Sequence, residues 1–380
     1  MIYLDNNATT PLAPSVLEAM LPFLGGAYGN PSSSHSAGRD ARQAVEKARG
    51  SVANLLSADA SEIVFTSGGT ESDNWAIRGT LEARPDKRHI ITTRVEHEAV
   101  RKLGEQLEHD GYEVSWLDVD KRGSLDLDQV CDLIREDTAI VSIMLANNET
   151  GILFPVVEIA EIVKERSRAI VHVDGVNAAG KVPIDLSSTA IDLFSISAHK
   201  FHGPKGIGAL YIREGVRLPP FLIGGGQESG RRSGTSAVHQ IVGLGAAADF
   251  VRDMSVTDNV RAFRDKLEWD ILKSIPIASL NGTADVRQRL PNTSNISFEN
   301  LNGEAIMARL DDSGICVSTG SACNAEGHVA SPVLAAMDVP YSKAMGSIRF
   351  SLGRFSTDDE VGIVVAELKK IVSELRSLAA

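Results

Sequence analysis

Several residue types and sequence patterns are scarce in this chain, and each scarcity argues against a class of protein. Only three of the 380 residues are cysteine, too few for a disulfide framework, so we expect a cytoplasmic protein. Aromatic residues make up 5% of the chain and the net charge is -12, which together argue against nucleic-acid binding. No apolar run approaches the roughly 20 residues of a membrane span, and the first residues lack the features of a signal peptide. We therefore expect neither membrane attachment nor a nucleic-acid partner.

What is present is the composition of an ordinary globular protein, with 43% hydrophobic and 23% charged residues. The length provides enough core for two or three domains. Between residues 62 and 196, apolar runs of strand length alternate with amphipathic segments of helix length, which predicts an α/β fold with a mostly parallel, doubly wound sheet. The predicted strands are residues 62–67, 89–94, 113–119, 139–146, 169–173 and 193–196. From residue 277 onwards a smaller α+β unit is predicted, with strands at residues 293–298, 315–318 and 347–352.

Two charged residues follow predicted strands of the sheet. Lys200 comes just after the strand at residues 193–196, and Asp174 directly follows the strand at residues 169–173. Because ligands of open α/β sheets bind at the carboxyl ends of the strands, we expect both side chains on one rim. A lysine that forms an imine, together with a carboxylate for a pyridinium nitrogen, is the pair that pyridoxal 5′-phosphate (PLP) requires. The alternative is that Lys200 is a surface lysine and Asp174 a loop acid.

A third segment is a candidate phosphate site. After the strand at residues 62–67 come Gly68, Gly69 and Thr70, and a helix follows. Glycines allow the backbone to approach an anion, which the first helical N–H groups and the helix dipole attract. Most such turns bind nothing. This one is a candidate phosphate site because it belongs to the same predicted sheet as Asp174 and Lys200.

Polar residues also follow two other predicted strands. His97 is placed to stack on an aromatic cofactor or, alternatively, to begin a helix in solvent. Asn148 is placed to donate a hydrogen bond to a cofactor phenolate or to shape a turn. Among the cysteines, Cys131 and Cys316 lie in predicted core elements and are expected to be inert. Cys323 lies in a loop of small residues. A nucleophilic cysteine needs such an exposed, mobile loop, but an ordinary loop cysteine has the same surroundings.

Eight segments taken together resemble the cysteine desulfurases, in particular their NifS-like group. These enzymes are a branch of the class-V aminotransferase family and have the PLP-dependent transferase type I fold. The similarity extends over nearly the whole chain. The matching segments are residues 3–10, 29–33, 66–73, 146–151, 199–206, 231–235, 318–323 and 348–353.

The resemblance implies a role for the matching residues. Lys200 would hold PLP as an imine and move protons at the substrate α-carbon, Asp174 would pair with the pyridinium nitrogen, and His97 would stack on the ring. Cys323 would attack the sulfur of bound L-cysteine, which yields L-alanine and a persulfide on Cys323. The other implied cofactor-binding residues are Gly69, Thr70, Asn148, Asn177, Ser197, His199 and, from the other subunit of a homodimer, Thr235. The implied substrate-binding residues are Asn7, Ala8, Asn30, Asn148 and Arg349, the last of which would bind the substrate carboxylate.

The resemblance also implies the domain organisation and the partners. A large PLP-binding domain with a mostly parallel seven-stranded sheet would span residues 13–256, and a smaller α+β domain with the cysteine loop would comprise residues 1–12 and 257–380. A sulfur-acceptor protein would receive the persulfide for iron–sulfur clusters, other thio-cofactors or nucleic-acid thiolation. No metal site is implied, although Cys323 is a candidate ligand for a transient iron–sulfur cluster.

Three features depart from the family pattern. Asn177 stands where the family usually has a glutamine that contacts the PLP phenolate, and it is one methylene shorter, so cofactor electronics or substrate fit differ. The loop after Cys323 has an unusual sequence that includes His328, either a solvated residue or one that tunes the thiol. The sequence ends soon after the last predicted helix, whereas relatives often carry a longer tail that helps to dock a scaffold. This departure puts a standard iron–sulfur scaffold partner in doubt and leaves the sulfur acceptor open.

Two other classes of function remain open at this level. A selenocysteine lyase or another class-V PLP enzyme would not need Cys323. A sulfur-trafficking scaffold would be catalytically weak because of Asn177 and the altered loop. Its function would be to bind a partner. The presence of Asp174, Lys200, Cys323 and Arg349 argues against the scaffold.

Overall fold

The computed structural model describes residues 1–319 and 330–379, in which helices and strands alternate along most of the chain. The strands are β1 (Ile2–Tyr3), β2 (Ile63–Thr66), β3 (His89–Thr93), β4 (Glu113–Leu117), β5 (Thr138–Met144), β6 (Ile170–Asp174), β7 (Leu193–Ser197), β8 (Gly208–Ile212), β9 (Ala278–Leu280), β10 (Thr293–Phe298), β11 (Ile315–Cys316) and β12 (Ser347–Ser351). The α-helices are α1 (Pro14–Leu24), α2 (Ser36–Leu56), α3 (Gly69–Ala83), α4 (Glu98–His109), α5 (Leu127–Leu133), α6 (Val156–Arg166), α7 (Val238–Val251), α8 (Val256–Ser274), α9 (Gly303–Asp312), α10 (Pro332–Ala336), α11 (Tyr341–Ala344) and α12 (Asp358–Ala379). Within these residues, no helix has both the length and the apolar character needed to cross a membrane.

In the described residues, a seven-stranded sheet forms the centre of the larger part of the protein. Its strand order is β2-β8-β7-β6-β5-β3-β4. Neighbours from β7 to β4 pair in parallel, whereas β8 is antiparallel to both β7 and β2. Every residue of β2, β3, β5, β6, β7 and β8 is buried, as expected of a sheet that helices cover on both faces.

Helices cover both faces because alternate strand residues point to opposite sides of the sheet. Ile140 and Leu193 pack against residues of α3 and α4 on one face. Val141 and Phe194 belong to the core on the other face, to which α1, α2, α6 and α7 contribute. The strands β2, β3, β5, β6 and β7 run in the same direction, so their carboxyl ends meet at one edge of the sheet.

A second core combines the N-terminal strand with the last third of the chain. β9, β10 and β12 form an antiparallel sheet in the order β12-β10-β9, and β1 pairs in parallel with β11. Apolar residues of α8, α9 and α12 pack on these strands together with Leu4. Val333, Leu334, Met337 and Ala344 belong instead to the core of the large sheet. The division into domains at residues 13 and 257 stays a prediction.

The predicted α/β fold with a mostly parallel sheet is confirmed. The six strands predicted between residues 62 and 196 coincide with β2 to β7 to within two residues at each end. The strand predicted at residues 315–318 is wrong in its second half, because β11 ends at Cys316 and Ser318 only bridges to Arg349. Cys131 and Cys316 were expected in the core but are only half-buried: Val130 is the one buried residue of α5, and in the described part of the chain β11 pairs with β1 alone.

Candidate active site

A cleft lies at the edge of the large sheet where the parallel strands end. About 790 Å³ of space, part of it open to solvent, lies between its walls. Its walls come from the loop after β1, the start of α3 and the ends of β3, β5, β6 and β7, namely Ala8, Gly69, Thr70, Asp73, His97, Met144, Ala146, Asn148, Asp174, Val176, Asn177, Ser197, His199 and Lys200. A second cleft shares several of these residues and adds Asn7 and Arg349. The structure thus brings together most of the residues predicted from the sequence to bind PLP and substrate.

The turn between β2 and α3 requires glycine. Gly68 has a φ of 153°, in the region that favours glycine, and a Cβ on Gly69 would lie 2.6 Å from Val176 Cγ2. α3 begins at Gly69 without a hydrogen bond from a capping side chain, which leaves N–H groups of its first turn for a ligand. The polar side chains around the same opening are Thr70, Ser197 and His199. This set of donors suits an anion such as a phosphate group.

Asp174 ends β6 and presents a buried carboxyl group to the cleft. Its Oδ1 accepts a hydrogen bond of 2.9 Å from the N–H of Val176. Burial raises the pKa of the Asp174 carboxyl, while the neighbouring His97 and Lys200 lower it. A cationic ring nitrogen in this cleft would supply the counter-charge that burial makes necessary.

Lys200 follows β7 in a short turn and has an amine of lowered pKa. Its Nζ donates to the main-chain oxygen atoms of Asn7, at 2.5 Å, and Ala8, at 3.1 Å. Burial, and after it the charge of Arg349, lowers the pKa of the Lys200 amine to about 8, against the opposing effect of Asp174. At pH 7 about one-tenth of such an amine is neutral, compared with about 0.04% for a lysine of ordinary pKa. Lys200 is therefore equipped to act as a nucleophile.

His97 is the residue that precedes α4, at the rim of the cleft. Its Nδ1 accepts a hydrogen bond of 3.2 Å from the N–H of Ala99, so the neutral ring carries its proton on Nε2. Burial lowers the pKa of His97 and favours this neutral form. A flat, uncharged ring at the edge of a cleft meets the requirement for stacking on an aromatic cofactor.

Arg349 extends from β12 into the second cleft. Its Nη2 donates to Asp5 Oδ1 at 2.7 Å, and its Nη1 donates to the main-chain oxygen of Asn148 at 3.1 Å. Its buried Nε has no hydrogen-bond partner among the described residues. Asn7 Nδ2 donates to the same Asn148 oxygen at 3.1 Å. The guanidinium of Arg349 and the nearby Lys200 make this end of the site suitable for a carboxylate.

The structure also reveals buried ionisable groups that were not predicted from the sequence. Burial raises the pKa of Glu96 to about 8 and that of Glu149 to about 7. It also raises the pKa of Asp73 well above its usual value, and Asp174 adds to the shifts of Asp73 and Glu96. Lys181 is a half-buried lysine that contacts Asn177 of the same cleft, and burial lowers the pKa of its amine. In the sequence, only Glu96 and Glu149 of these groups stand a few residues after an apolar strand, and many surface residues share that position.

Among the described residues, two predicted ones, Asn30 and Thr235, are not brought into this cleft. Asn30 is exposed, and its Oδ1 accepts a hydrogen bond of 2.9 Å from the N–H of Ser32. Thr235 lines a separate cavity beside β2. Cys323 and His328 lie outside the described residues. The roles of all four stay predictions.

The described residues fit PLP. A Cβ on Gly69 would clash with Val176, so the backbone passes closely here at the start of a helix that has no side-chain cap and whose first N–H groups suit a phosphate. Asp174 supplies the carboxylate for a pyridinium nitrogen, and Lys200 supplies an amine of lowered pKa for an aldehyde.

Comparisons with known proteins agree with this fit. The Aminotransferase class-V family matches residues 2–364. A cysteine desulfurase from Nostoc sp. is 52% identical over 381 aligned positions, which cover 100% of this chain and 94% of the relative. A solved NifS-like protein has a TM-score of 0.93 at 41% identity, covering 98% of this chain and 100% of the other. A structure of SspA in complex with cysteine has a TM-score of 0.83 at 35% identity, covering 94% of this chain and 100% of the other. The chain therefore belongs to the class-V aminotransferase family, and its cofactor is PLP.

Proposed function

We propose that this chain is a PLP-dependent cysteine desulfurase that converts L-cysteine to L-alanine and carries the sulfur as a persulfide on Cys323. The observation that carries the proposal is the buried Lys200 amine, with its pKa of about 8, in the same cleft as Asp174 and the start of α3. Similarity to a cysteine desulfurase over the whole chain, and to a protein solved with cysteine, supports L-cysteine as the substrate.

Each residue of the cleft has a defined task in this reaction. When bound, PLP supplies an electron sink for the substrate α-carbon. Asp174 holds a proton on the ring nitrogen, and Arg349 binds the substrate carboxylate through its guanidinium. Lys200 would hold the cofactor through Nζ, and its free amine would move a proton at the substrate α-carbon. His97 holds the ring from one face.

The sulfur-transfer step requires a thiolate, and the proposal assigns it to Cys323. Its Sγ attacks the Sγ of bound L-cysteine, so that an S–S bond forms while the C–S bond of the substrate breaks. The electron pair of the broken bond stays with the Cβ atom of the substrate, and this Cβ then takes up a proton. L-Cysteine and the Cys323 thiol thus become L-alanine and a Cys323 persulfide, and no external oxidant or reductant is needed.

The test of the proposed function compares the wild-type protein with Cys323→Ala. We expect the wild type, loaded with PLP, to show the visible absorbance band of the bound cofactor and to form equal amounts of L-alanine and persulfide. Cys323→Ala should retain the band and lose both products. Cys131→Ala is the matched control, because Cys131 is a half-buried residue of α5 that does not line the cleft in the described structure.

The other outcomes distinguish the alternatives. Full L-alanine formation by Cys323→Ala would point to chemistry that needs no thiol, as in a selenocysteine lyase. A band without turnover of L-cysteine, and without sulfide release from the purified protein, would favour another substrate or the scaffold function. The absence of a band after PLP addition would contradict every role assigned to Lys200.

The capture of PLP by the apo-protein is expected to become faster as the pH rises through about 8. Only the neutral amine attacks an aldehyde, and a lysine whose pKa is lowered is charged below that pKa and neutral above it. Arg349→Gln removes the second largest cause of the lowering, so the midpoint should move to higher pH. Rapid-mixing absorbance measurements over the neutral and alkaline range check both statements. A wild-type midpoint near the usual lysine value of about 10.4 would contradict them.

The proposal includes a cytoplasmic homodimer in which Thr235 reaches the PLP phosphate of the other subunit. Within the described residues, neither Thr235 nor Asn30 lines the clefts of its own chain, which is compatible with a role across an interface. The scarcity of cysteine supports the cytoplasm. The persulfide passes to an acceptor protein, for iron–sulfur cluster assembly or another thiolation pathway.

A further inference from the structure

Lys181 is a half-buried lysine that has no role in the proposed reaction. It lies in the segment after β6, and its Nζ donates to Asn7 Oδ1 at 3.0 Å and to Asn177 Oδ1 at 2.9 Å. Burial, followed by the charges of Lys200 and Arg349, lowers the pKa of the amine well below the usual lysine value. Both partners are amide oxygens, which cannot neutralise an ammonium group. Removing a lysine from water at such a place costs free energy, so we ask what its hydrogen bonds contribute to the site.

The first consequence of Lys181 concerns the Asn177 side chain. In its charged form and in its neutral form, Nζ has an N–H for each of these two bonds, so the Asn177 atom that accepts from Lys181 is the oxygen. The amide nitrogen therefore points the other way. Its Nδ2 lies 3.4 Å from the main-chain oxygen of Asn147, and Asn177 is one of the residues that line the cofactor cleft. Lys181 thus holds Asn177 Oδ1 on its own side, and of the two N–H groups of Nδ2 only one is needed for the bond to Asn147.

The second consequence concerns Asn7, whose backbone contacts Lys200. Asn7 Oδ1 accepts from Lys181 and, at 3.0 Å, from Asn292 Nδ2. These two bonds direct Asn7 Nδ2 toward the main-chain oxygen of Asn148. The main-chain oxygen of Asn7 accepts the hydrogen bond from Lys200 Nζ. Lys181 therefore contacts both Asn177, which lines the cleft, and Asn7, whose main-chain oxygen accepts the hydrogen bond from Lys200.

We propose that Lys181 is a positioning residue, which fixes the Asn177 amide so that an N–H group faces the phenolate oxygen of bound PLP. This inference rests on the proposed function, because it requires PLP in the cleft. It also assigns a purpose to the shorter side chain at position 177. Asn177 reaches less far than a glutamine, but its orientation is held by a second residue.

The experiment titrates PLP into the apo-forms of the wild type, Lys181→Met and the control Lys273→Met. Lys273 is an exposed residue of α8, so its replacement removes the same charge far from the cleft. For Lys181→Met we expect the Kd of PLP to rise about 3- to 10-fold, as for the loss of a hydrogen bond. We also expect the pH midpoint of the visible band to rise by about 0.5 to 1 unit, since an N–H donor stabilises the negative phenolate oxygen. Lys273→Met should match the wild type.

Asn177→Ala separates a positioning role from a general structural one. If Lys181 acts through Asn177, Lys181→Met should shift the band midpoint in the wild-type background and have little further effect in the Asn177→Ala background. Equal shifts in both backgrounds, or none in either, would overturn the inference. Lys181→Gln keeps an N–H donor and should show a smaller shift in the same direction, and it replaces Lys181→Met if that variant does not fold. A wild type without any band would refute the proposed function as well, whereas a normal wild-type band with an unchanged Lys181→Met band would refute only the role of Lys181.

Discussion

Lys200→Ala is expected to lower the rate of L-alanine formation from L-cysteine by at least about 10³-fold, within the range for loss of a general acid–base. Two functions disappear together, the covalent attachment of the cofactor and the proton transfer at the α-carbon. Lys181 does not replace it, because its Nζ is hydrogen-bonded to Asn7 and Asn177 and it is absent from the described lining of the cleft. Coupled assay of L-alanine and retention of PLP through dialysis measure the two losses separately.

Lys200→Arg is the stringent control for this prediction. The guanidinium keeps a positive charge and a donor for the Asn7 oxygen, but it cannot attach to an aldehyde. We therefore expect the same loss of turnover as in Lys200→Ala, although the charge near Asp174 is preserved. A small primary amine added to the solution should restore part of the activity of Lys200→Ala only, since arginine fills the space. Substantial turnover by Lys200→Arg would show that charge, and not the nucleophilic amine, is what the reaction needs.

The large sheet was predictable because its strands are buried on both faces and therefore appear as nearly continuous apolar runs. β8 was not predicted as a separate strand, since it begins at Gly208 directly after a Gly/Pro-rich turn and resembles a continuation of the loop. β1 and β11 each have two residues, too few to show any periodicity, and they exist because Ile2 pairs with Ile315 and Tyr3 with Cys316. Pairing between residues so far apart in the chain is invisible to a local pattern.

The same reasoning explains which parts of the site were predictable. Asp174 and Lys200 could be placed in one cleft because the carboxyl ends of parallel strands converge, a rule that needs only the strand assignment. The proposed role of Lys181 involves Asn7, which lies 174 residues earlier, and no spacing in the sequence predicts that contact. Glu96 was visible in the sequence next to His97, but its raised pKa depends on burial that only the packed structure provides.

Asp174→Asn is expected to lower turnover of L-cysteine by about 10²- to 10³-fold, comparable to the loss of a preorganised electrostatic partner. The amide has nearly the shape of the carboxylate, and its oxygen can still accept the hydrogen bond from the Val176 N–H. What it loses is the negative charge that holds a proton on the ring nitrogen, and without that proton the ring withdraws electrons less well. Steady-state kcat, together with the absorbance spectrum of the PLP-loaded protein, measures the effect.

Glu96→Gln is the matched control, because Glu96 is a second buried acid whose pKa is raised partly by Asp174. With a pKa of about 8, Glu96 is mostly protonated at neutral pH, so a neutral glutamine mimics its normal state. Its Oε1 accepts from Thr93 Oγ1 at 2.8 Å and from the Met144 N–H at 3.1 Å, and an amide oxygen can keep both bonds. We therefore expect kcat to change by less than about 3-fold, roughly one ordinary hydrogen bond at most. Equal losses in Asp174→Asn and Glu96→Gln would mean that the acids act as a cluster; a large loss in Asp174→Asn alone would identify its single charge as the one that the cofactor ring uses.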